Sequence, residues 1–475
     1  MVRRALTTVA LCGAMALGGP AIARAQAATP TVAPASPVCK VRTQPPVAGL
    51  TLLSTAQVPG HPRVSDLTFA SSALNAQVHA DVLLPPGYDP TASTRYPVLY
   101  LLHGHGGNHT DWVTNGMEKA VGNLPVIVVM PDGGFDGWYS DWYGSDIDGH
   151  VPNPPPAWET FHISELLPWI DANFPTIADR RGRAIAGLSM GGFGAMSYAA
   201  RHPDLFAAAG SFSGAVDMDL AYPVAGGVVG VGANFQNGKA PDDCVWGDIL
   251  TQDVRWRDHD PTELVNSLNG LSLFIACGNG FPGRFDDPTR YNFGAALIEG
   301  GALYMNQGFD QALTAAHVAH TTDFYGGGTH TWPYWIDDLA KFAPQMTAAF
   351  AAAPAVPPAV PFAYESAASR FSVWGWTFAP QRDVTEMTYL SGVGAAGLDA
   401  SGSGTLWVTT APLYRPGASY VVTGAGPGSM NAPADQQGRL HFVVDLGPSH
   451  EVQQYAFGPQ AESTFAHAHV SINPA

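Results

Sequence analysis

Gly187-Leu188-Ser189-Met190-Gly191 fits the pattern G-x-S-x-G. The pattern carries chemistry only where a buried strand enters it and a helix leaves it. Ala184-Ile185-Ala186 supplies the apolar strand, and the run from Phe193 to Arg201 is helix-compatible. The turn between them must be so sharp that flanking glycines avoid clashes, and it lifts the serine hydroxyl above a sheet. Ser189 is therefore the candidate nucleophile. Such a serine needs a base, an acid to orient the base, and two N–H donors for the developing oxyanion.

One donor is the N–H of the residue after the nucleophile, Met190. The other should come from the loop after an early strand. His103-Gly104-His105-Gly106-Gly107 follows the apolar run Pro97–Leu102, and the His105 N–H is the natural choice. His103, His105 and His109 also raise the question of a metal. No acid cluster or further histidine stands at a ligand spacing from them, so neither metal nor cofactor is expected. The base should lie late in the chain, after the acid. Among sixteen histidines, His330 stands out: it sits 141 residues after Ser189 on the loop Gly326-Gly327-Gly328-Thr329-His330, before the helix-like run Pro333–Phe342. His317 and His320 read as surface or satisfied residues of a helical stretch, and His441, His450, His467 and His469 fall in the tail. For the acid, Asp286 and Asp287 closely follow the run Leu271–Cys277; Glu299 lies further on and Asp323 nearer His330. Spacing alone favours Asp286 or Asp287.

The elements that must hold these residues alternate. Buried-strand signals cover Pro97–Leu102, Pro125–Met130, Arg183–Leu188, Phe206–Phe212 and Leu271–Cys277, with helical signals between them at Trp158–Asn173 and Met190–Arg201. That order predicts a mostly parallel sheet covered on both faces, an α/β-hydrolase fold. Val78–Leu84 reads as an edge strand leading into the Pro85-Pro86-Gly87-Tyr88 turn. Beyond the spacer Ala352–Pro361, short runs at Phe371–Phe378, Thr405–Thr409, Ser419–Val422 and Leu440–Val444 alternate with turn clusters at Gly424–Gly428 and Asn431–Asp435. These predict a C-terminal all-β, sandwich-like domain. The expected organisation is a signal peptide over 1–27, a flexible lead-in over 28–47, the catalytic body over 48–350, a Pro/Ala linker over 351–362 and the accessory domain over 363–475.

Arg3 and Arg4 followed by the apolar run Ala5–Gly19 and two small-x-small sites before Ala27 are the signal-peptide features, so an exported or wall-associated protein is expected. The arginine pair also fits a twin-arginine leader. Losing that leader removes three arginines and no acid, taking the formal charge from −17 to −20. An acidic chain of this kind is no nucleic-acid binder and does not adhere passively to anionic membranes. Of the cysteines outside the leader, Cys277 lies in an apolar run and reads as buried and unpaired, which leaves Cys39–Cys244 as the pairing if a disulfide forms.

Several stretches together resemble a known family. They are Met130-Pro131-Asp132-Gly133-Gly134, Tyr139-Ser140-Asp141-Trp142-Tyr143, Trp158-Glu159-Thr160-Phe161, Ser164-Glu165-Leu166, Gly187-Leu188-Ser189-Met190, Cys277-Gly278-Asn279-Gly280 and Thr329-His330-Thr331-Trp332-Pro333-Tyr334-Trp335. Over roughly residues 60–345 the body resembles the esterase D-like α/β-hydrolases, and within them the secreted mycolyltransferases of mycolate-walled bacteria. The resemblance implies Glu299 as the acid, because Phe309-Asp310-Gln311-Ala312 aligns with a family segment and puts Glu299 on the catalytic glutamate. It also implies an acceptor-site role for Trp332, against a plain packing role. The trehalose-binding members carry an Asp and an Arg where this chain has His103 and Gly106, a departure that weakens a sugar acceptor. The expectation is a serine ester hydrolase working on acyl esters, lipid or small, through an acyl-enzyme. One alternative is acyl transfer to a sugar or lipid hydroxyl. Another is a surface binding or adhesion protein with an inactive hydrolase body, whose tail aromatics Trp374, Trp376, Tyr389, Trp407 and Tyr414 would stack on wall carbohydrate if they are not core.

Overall fold

The computed structural model describes residues 39–146, 153–218, 244–287, 289–290, 292–353, 361–455 and 464–475. The expected signal peptide, residues 28–38 of the lead-in and residues 354–360 of the linker lie outside the described residues.

In chain order the body contains β1 (Cys39–Val41), β2 (Leu50–Gln57), β3 (Val64–Ser71), β4 (Ala76–Leu83), β5 (Val98–Leu102), β6 (Ile127–Pro131), β7 (Gly144–Asp146), β8 (Arg183–Leu188), β9 (Ala208–Phe212), β10 (Ser272–Cys277) and β11 (His320–Phe324). Nine of them form one sheet in the order β11-β10-β9-β8-β5-β6-β4-β3-β2. From β11 to β6 every pairing is parallel; β6 to β2 pair antiparallel. The chain thus has an α/β-hydrolase fold. Every residue of β5, β6, β8 and β9 is buried, as expected of strands covered on both faces. One layer of the core packs Phe193, Met196 and Phe161 beneath the sheet. The other packs Trp335, Leu339 and Phe342 of the Trp332–Ala352 helix above it.

Two expectations about the body need correction. β4 is an interior strand, not an edge, because β2 and β3 extend the sheet beyond it. Those strands mix polar and apolar residues on a partly exposed antiparallel extension, which leaves a weak signal in the sequence. His317 and His320 are not helical: the helix Phe293–Ala315 has ended, His317 takes φ 57°, and His320 opens β11, bonded to Asp310 Oδ1 at 2.8 Å. The β1–β7 pair is stapled to the body by the Cys39–Cys244 disulfide, with the Cα atoms 5.5 Å apart, and Cys277 is buried and free.

The tail folds into two antiparallel sheets, one of six strands starting at Phe362–Ser366 and one of four strands, Phe371–Val373, Trp376–Gln381, Thr405–Thr409 and His441–Asp445. Phe371–Phe378, expected as one run, is broken by a tight turn at Trp374 and Gly375, whose φ values are 51° and 78°. Two successive positive φ values make a hairpin that matches strand twist. Asn431 to Pro433, read as a turn cluster, belongs to the strand Ser429–Pro433. The five tail aromatics form no shared stacking face. Trp376 and Tyr414 are core, Tyr389 is partly buried, Arg180 lies over Trp374, and Trp407 remains exposed.

A buried ionic cluster ties tail to body. Arg201 Nε meets both Glu159 oxygens at 3.1 and 3.2 Å, and its Nη1 meets Asp258 Oδ2 at 2.8 Å. Asp258 Oδ1 accepts from the Ala367 N–H at 2.7 Å, and the Tyr364 hydroxyl donates to the Arg201 carbonyl at 2.6 Å. Removing Arg201 leaves the largely buried Glu159 and Asp258 carboxylates without their guanidinium partner. Arg201→Ala is expected to cost about 3–5 kcal/mol of unfolding free energy, read as a lowered urea midpoint.

Candidate active site

Ser189 occupies the turn between β8 and the helix Met190–Arg201, with φ 53° and ψ −119°. A non-glycine residue in that region is strained and persists only when its surroundings over-determine it. Here they do. The Ser189 N–H is bonded to the Phe212 carbonyl of β9 at 2.9 Å. A Cβ on Gly187 would fall 2.3 Å from the Gly191 carbonyl oxygen, and one on Gly191 would fall 2.5 Å from that of Leu102, so neither position tolerates a side chain. Met190 is the first helical residue, where a backbone N–H has no partner one turn back.

The loop after β5 lies against this turn. A Cβ on Gly104 would sit 2.5 Å from Leu188 Cδ1 and 3.4 Å from Ser189 Cβ. The loop is held from behind by His103, which is buried with both ring nitrogens engaged. Its Nδ1 bonds the Gly104 carbonyl at 2.8 Å and its Nε2 accepts the Gly133 N–H at 2.8 Å. Accepting at Nε2 requires the neutral ring, and burial lowers the pKa in the same sense. The Gly106 N–H bonds the Phe135 carbonyl at 2.7 Å, which shapes the turn carrying His105. The His105 ring packs edge-on to Phe135 with Nε2 3.5 Å from Asp136 Oδ1.

His330 follows β11, and its Nδ1 lies 2.7 Å from Glu299 Oε2. Glu299 is fully buried in the helix Phe293–Ala315. Its other oxygen accepts from the Gly278 N–H at 2.6 Å and the Ser213 hydroxyl at 2.8 Å. Burial pushes the Glu299 pKa up, but the His330 contact, the Gly278 N–H and the Ser213 hydroxyl outweigh it and leave the carboxyl below its ordinary value. The Trp335 ring stands edge-on to His330 at 4.9 Å and donates Nε1–H to Ser213 at 3.3 Å.

Asp286 and Asp287 are elsewhere engaged. Asp286 accepts from Thr329 Oγ1 at 2.5 Å, the Tyr334 hydroxyl at 2.7 Å and the Gly283 N–H at 2.8 Å, bracing the loop that carries His330. Asp287 is exposed and caps its own turn through Thr289. Asp323 bonds Lys341 Nζ. Trp332 packs edge-on against Trp112 and Trp335 at 5.1 and 5.4 Å. Ser189, the His105 loop, Ser213, Gly278 and His330 all follow the carboxyl ends of strands β8, β5, β9, β10 and β11, where open α/β sheets build their sites.

Residues 71–346 match the family model described as "Putative esterase". The chain belongs to this esterase family. Over 272 residues it is 36% identical to Esterase Rv1288 of Mycobacterium tuberculosis (strain ATCC 25618 / H37Rv), an alignment covering 56% of each chain. It thus spans little more than half the length of that relative. Over 272 residues it is also 34% identical to diacylglycerol acyltransferase/mycolyltransferase Ag85A of the same strain, covering 55% of this chain and 76% of that one. Among solved structures, M. tuberculosis MPT51 (FbpC1) matches with TM-score 0.47 and 24% identity over 58% of this chain and 95% of that one.

The two residues that hold Glu299 from behind, Ser213 and Gly278, were not among those expected from the sequence. Each stands just past the end of a parallel strand, and that placement was the available signal. Ser213 itself has φ 51°, so the turn after β9 is strained as well.

Proposed function

We propose that the chain is a serine ester hydrolase acting on acyl esters. Ser189 Oγ attacks the ester carbonyl carbon while His330 Nε2 takes the hydroxyl proton. The developing oxyanion accepts from the Met190 and His105 N–H groups. His330 then returns the proton to the leaving alcohol as the C–O bond breaks, leaving the acyl group on Ser189. Water, deprotonated by His330, releases the acid and regenerates the serine. Glu299 holds the imidazole with Nε2 toward the serine and stabilises the imidazolium.

The observation that carries this reading is the strained Ser189 turn at the same sheet end as a His330 whose Nδ1 is bound by a fully buried glutamate. An inert body kept for adhesion has no use for that strain. Phe281, Phe293, Leu297 and Ile298 are exposed on the Glu299 helix and the loop before it, which favours an apolar acyl group over a small polar ester.

A second reading, acyl transfer to a sugar or lipid hydroxyl, draws support from the likeness to Ag85A. Hydrolysis is favoured because the first position of the acceptor pair holds His103, which is buried and bonded on both sides. Export fits the Cys39–Cys244 disulfide, since such bonds persist in oxidising compartments. Among the described residues no helix is long and apolar enough to cross a membrane. Among the described residues of the tail, the exposed Trp407 is where a wall or carbohydrate contact would centre.

The test is product analysis by mass spectrometry. Purified protein is given acyl esters of graded chain length, with and without trehalose, after titration with a fluorophosphonate. Labelling together with free acid as the product is expected. Acyl-trehalose as the main product would replace hydrolysis with transfer. An unlabelled, folded protein would overturn both.

A further inference from the structure

Strands β3 and β4 pair antiparallel with Asp66 opposite Asp81 and Thr68 opposite His79. Directly paired residues share a face of the sheet, and so do alternate residues of one strand. Asp66, His79 and Asp81 therefore stand on one face. His109, in the loop after β5, brings its ring onto them, stacked on His79 at 4.8 Å. Asp66 Oδ1 is 3.0 Å from His79 Nδ1 and 3.8 Å from His109 Nε2. One ligand atom from each of these three residues lies within 4.8 Å of the others.

Two further observations point to a cation. Asp81 is 1% exposed, and neither carboxylate oxygen has a hydrogen-bond partner. A buried carboxylate is costly unless a proton or cation meets it. The other is the state of His109: its Nδ1 bonds Asp132 Oδ1 at 2.8 Å, which turns Nε2 toward Asp66. A carboxylate on the far nitrogen is how proteins orient an imidazole that binds a metal. Asp132 is itself fixed by the N–H groups of His79 and His109, at 3.0 and 2.9 Å. An ordinary Asp66–His79 hydrogen bond accounts for neither Asp81 nor the aim of His109.

We propose that Asp66, His79 and His109 bind one divalent cation of the zinc type, with the buried Asp81 carboxylate on the same face of the sheet adding negative charge beside it. Two imidazoles and one carboxylate make the mixed nitrogen and oxygen set that zinc accepts. Metal–ligand bonds of about 2.0–2.1 Å put neighbouring tetrahedral ligand atoms roughly 3.3 Å apart, and the 3.0 and 3.8 Å separations bracket that value. The three ligands come from β3, β4 and the loop after β5, so the ion cross-links these segments. It clips the β3–β4 extension to the loop that carries His103 and His105.

The test uses untagged full-length protein, stripped with a chelator and exchanged into chelator-free buffer. Isothermal titration with zinc chloride should give one site per chain, and elemental analysis after gel filtration should return one zinc. Tm should rise with zinc in the wild type. His109→Ala should bind at least 100-fold more weakly and lose the Tm rise, while Ser189→Ala binds as the wild type does. His79→Gln, at a partly exposed position, gives the same reading if His109→Ala does not fold. No stoichiometric zinc in the wild type, or equal binding by the folded ligand variants, would overturn the site.

Discussion

Ser189→Ala is expected to lower kcat on acyl esters by on the order of 10⁴-fold or more and to abolish fluorophosphonate labelling. The residual rate would come from substrate binding and the proposed oxyanion donors, since Met190 and His105 would act through backbone N–H groups that the substitution leaves in place. Stability separates this loss from misfolding. Alanine at φ 53° keeps the strain of the turn, so the Tm of Ser189→Ala should stay near that of the wild type. Ser189→Gly relieves the strain, because glycine adopts positive φ without a Cβ clash. It should be equally inactive yet more stable by about 1 kcal/mol, at the lower end of the cost of one strained residue. Parallel measurement of kcat and denaturant midpoint checks both halves. A glycine variant less stable than the wild type would mean that the turn stores no strain.

Glu299→Gln is the second large effect, on the order of 10⁴-fold in kcat, as expected when the group orienting a catalytic imidazole becomes an amide. The amide can present its N–H₂ to His330 Nδ1, which favours the wrong tautomer. It also loses the charge that stabilises the imidazolium. Asp286→Asn and Asp287→Asn should retain most activity, since neither carboxylate bonds His330. An Asp286→Asn variant as inactive as Glu299→Gln would move the acid role. The same glutamate sets a pH dependence of stability. Its folded pKa lies below the ordinary 4.5, so its stabilisation is complete above about 4.5 and fades as pH falls toward the folded value. Glu299→Gln should therefore flatten the acid limb of the wild-type stability curve, read from urea midpoints between pH 3 and pH 6, values set by that direction.

How much of this was legible beforehand depended on whether the information was local. The elbow needs a strand, two glycines, a serine and a helix within one short stretch, and Ser189 with Met190 could be read from it directly. His330 followed from order along the chain and its glycine-rich loop. Strands β5, β6, β8, β9 and β10 announced themselves as apolar runs because a parallel sheet buries both faces. Glu299 was different. Spacing alone favoured Asp286 and Asp287, and only the family resemblance pointed to the residue that meets His330.

By itself the amino-acid sequence determined the fold class, the candidate nucleophile and base, and the cysteines available for pairing. The tertiary structure decided between Glu299, implied by the resemblance, and the aspartates that spacing favoured, and it alone showed that His103 braces the loop as a neutral ring. It also decided that Ser213 and Gly278 hold Glu299. It brought Asp66, His79 and His109 together, a grouping hidden from a search for ligands at regular spacing, because sheet register and a loop assemble it from three segments. The reason is common to these cases. Hydrophobic periodicity and turn chemistry act between near neighbours in the chain, whereas a hydrogen bond to a buried carboxylate is chosen by whichever group the packed elements bring within reach.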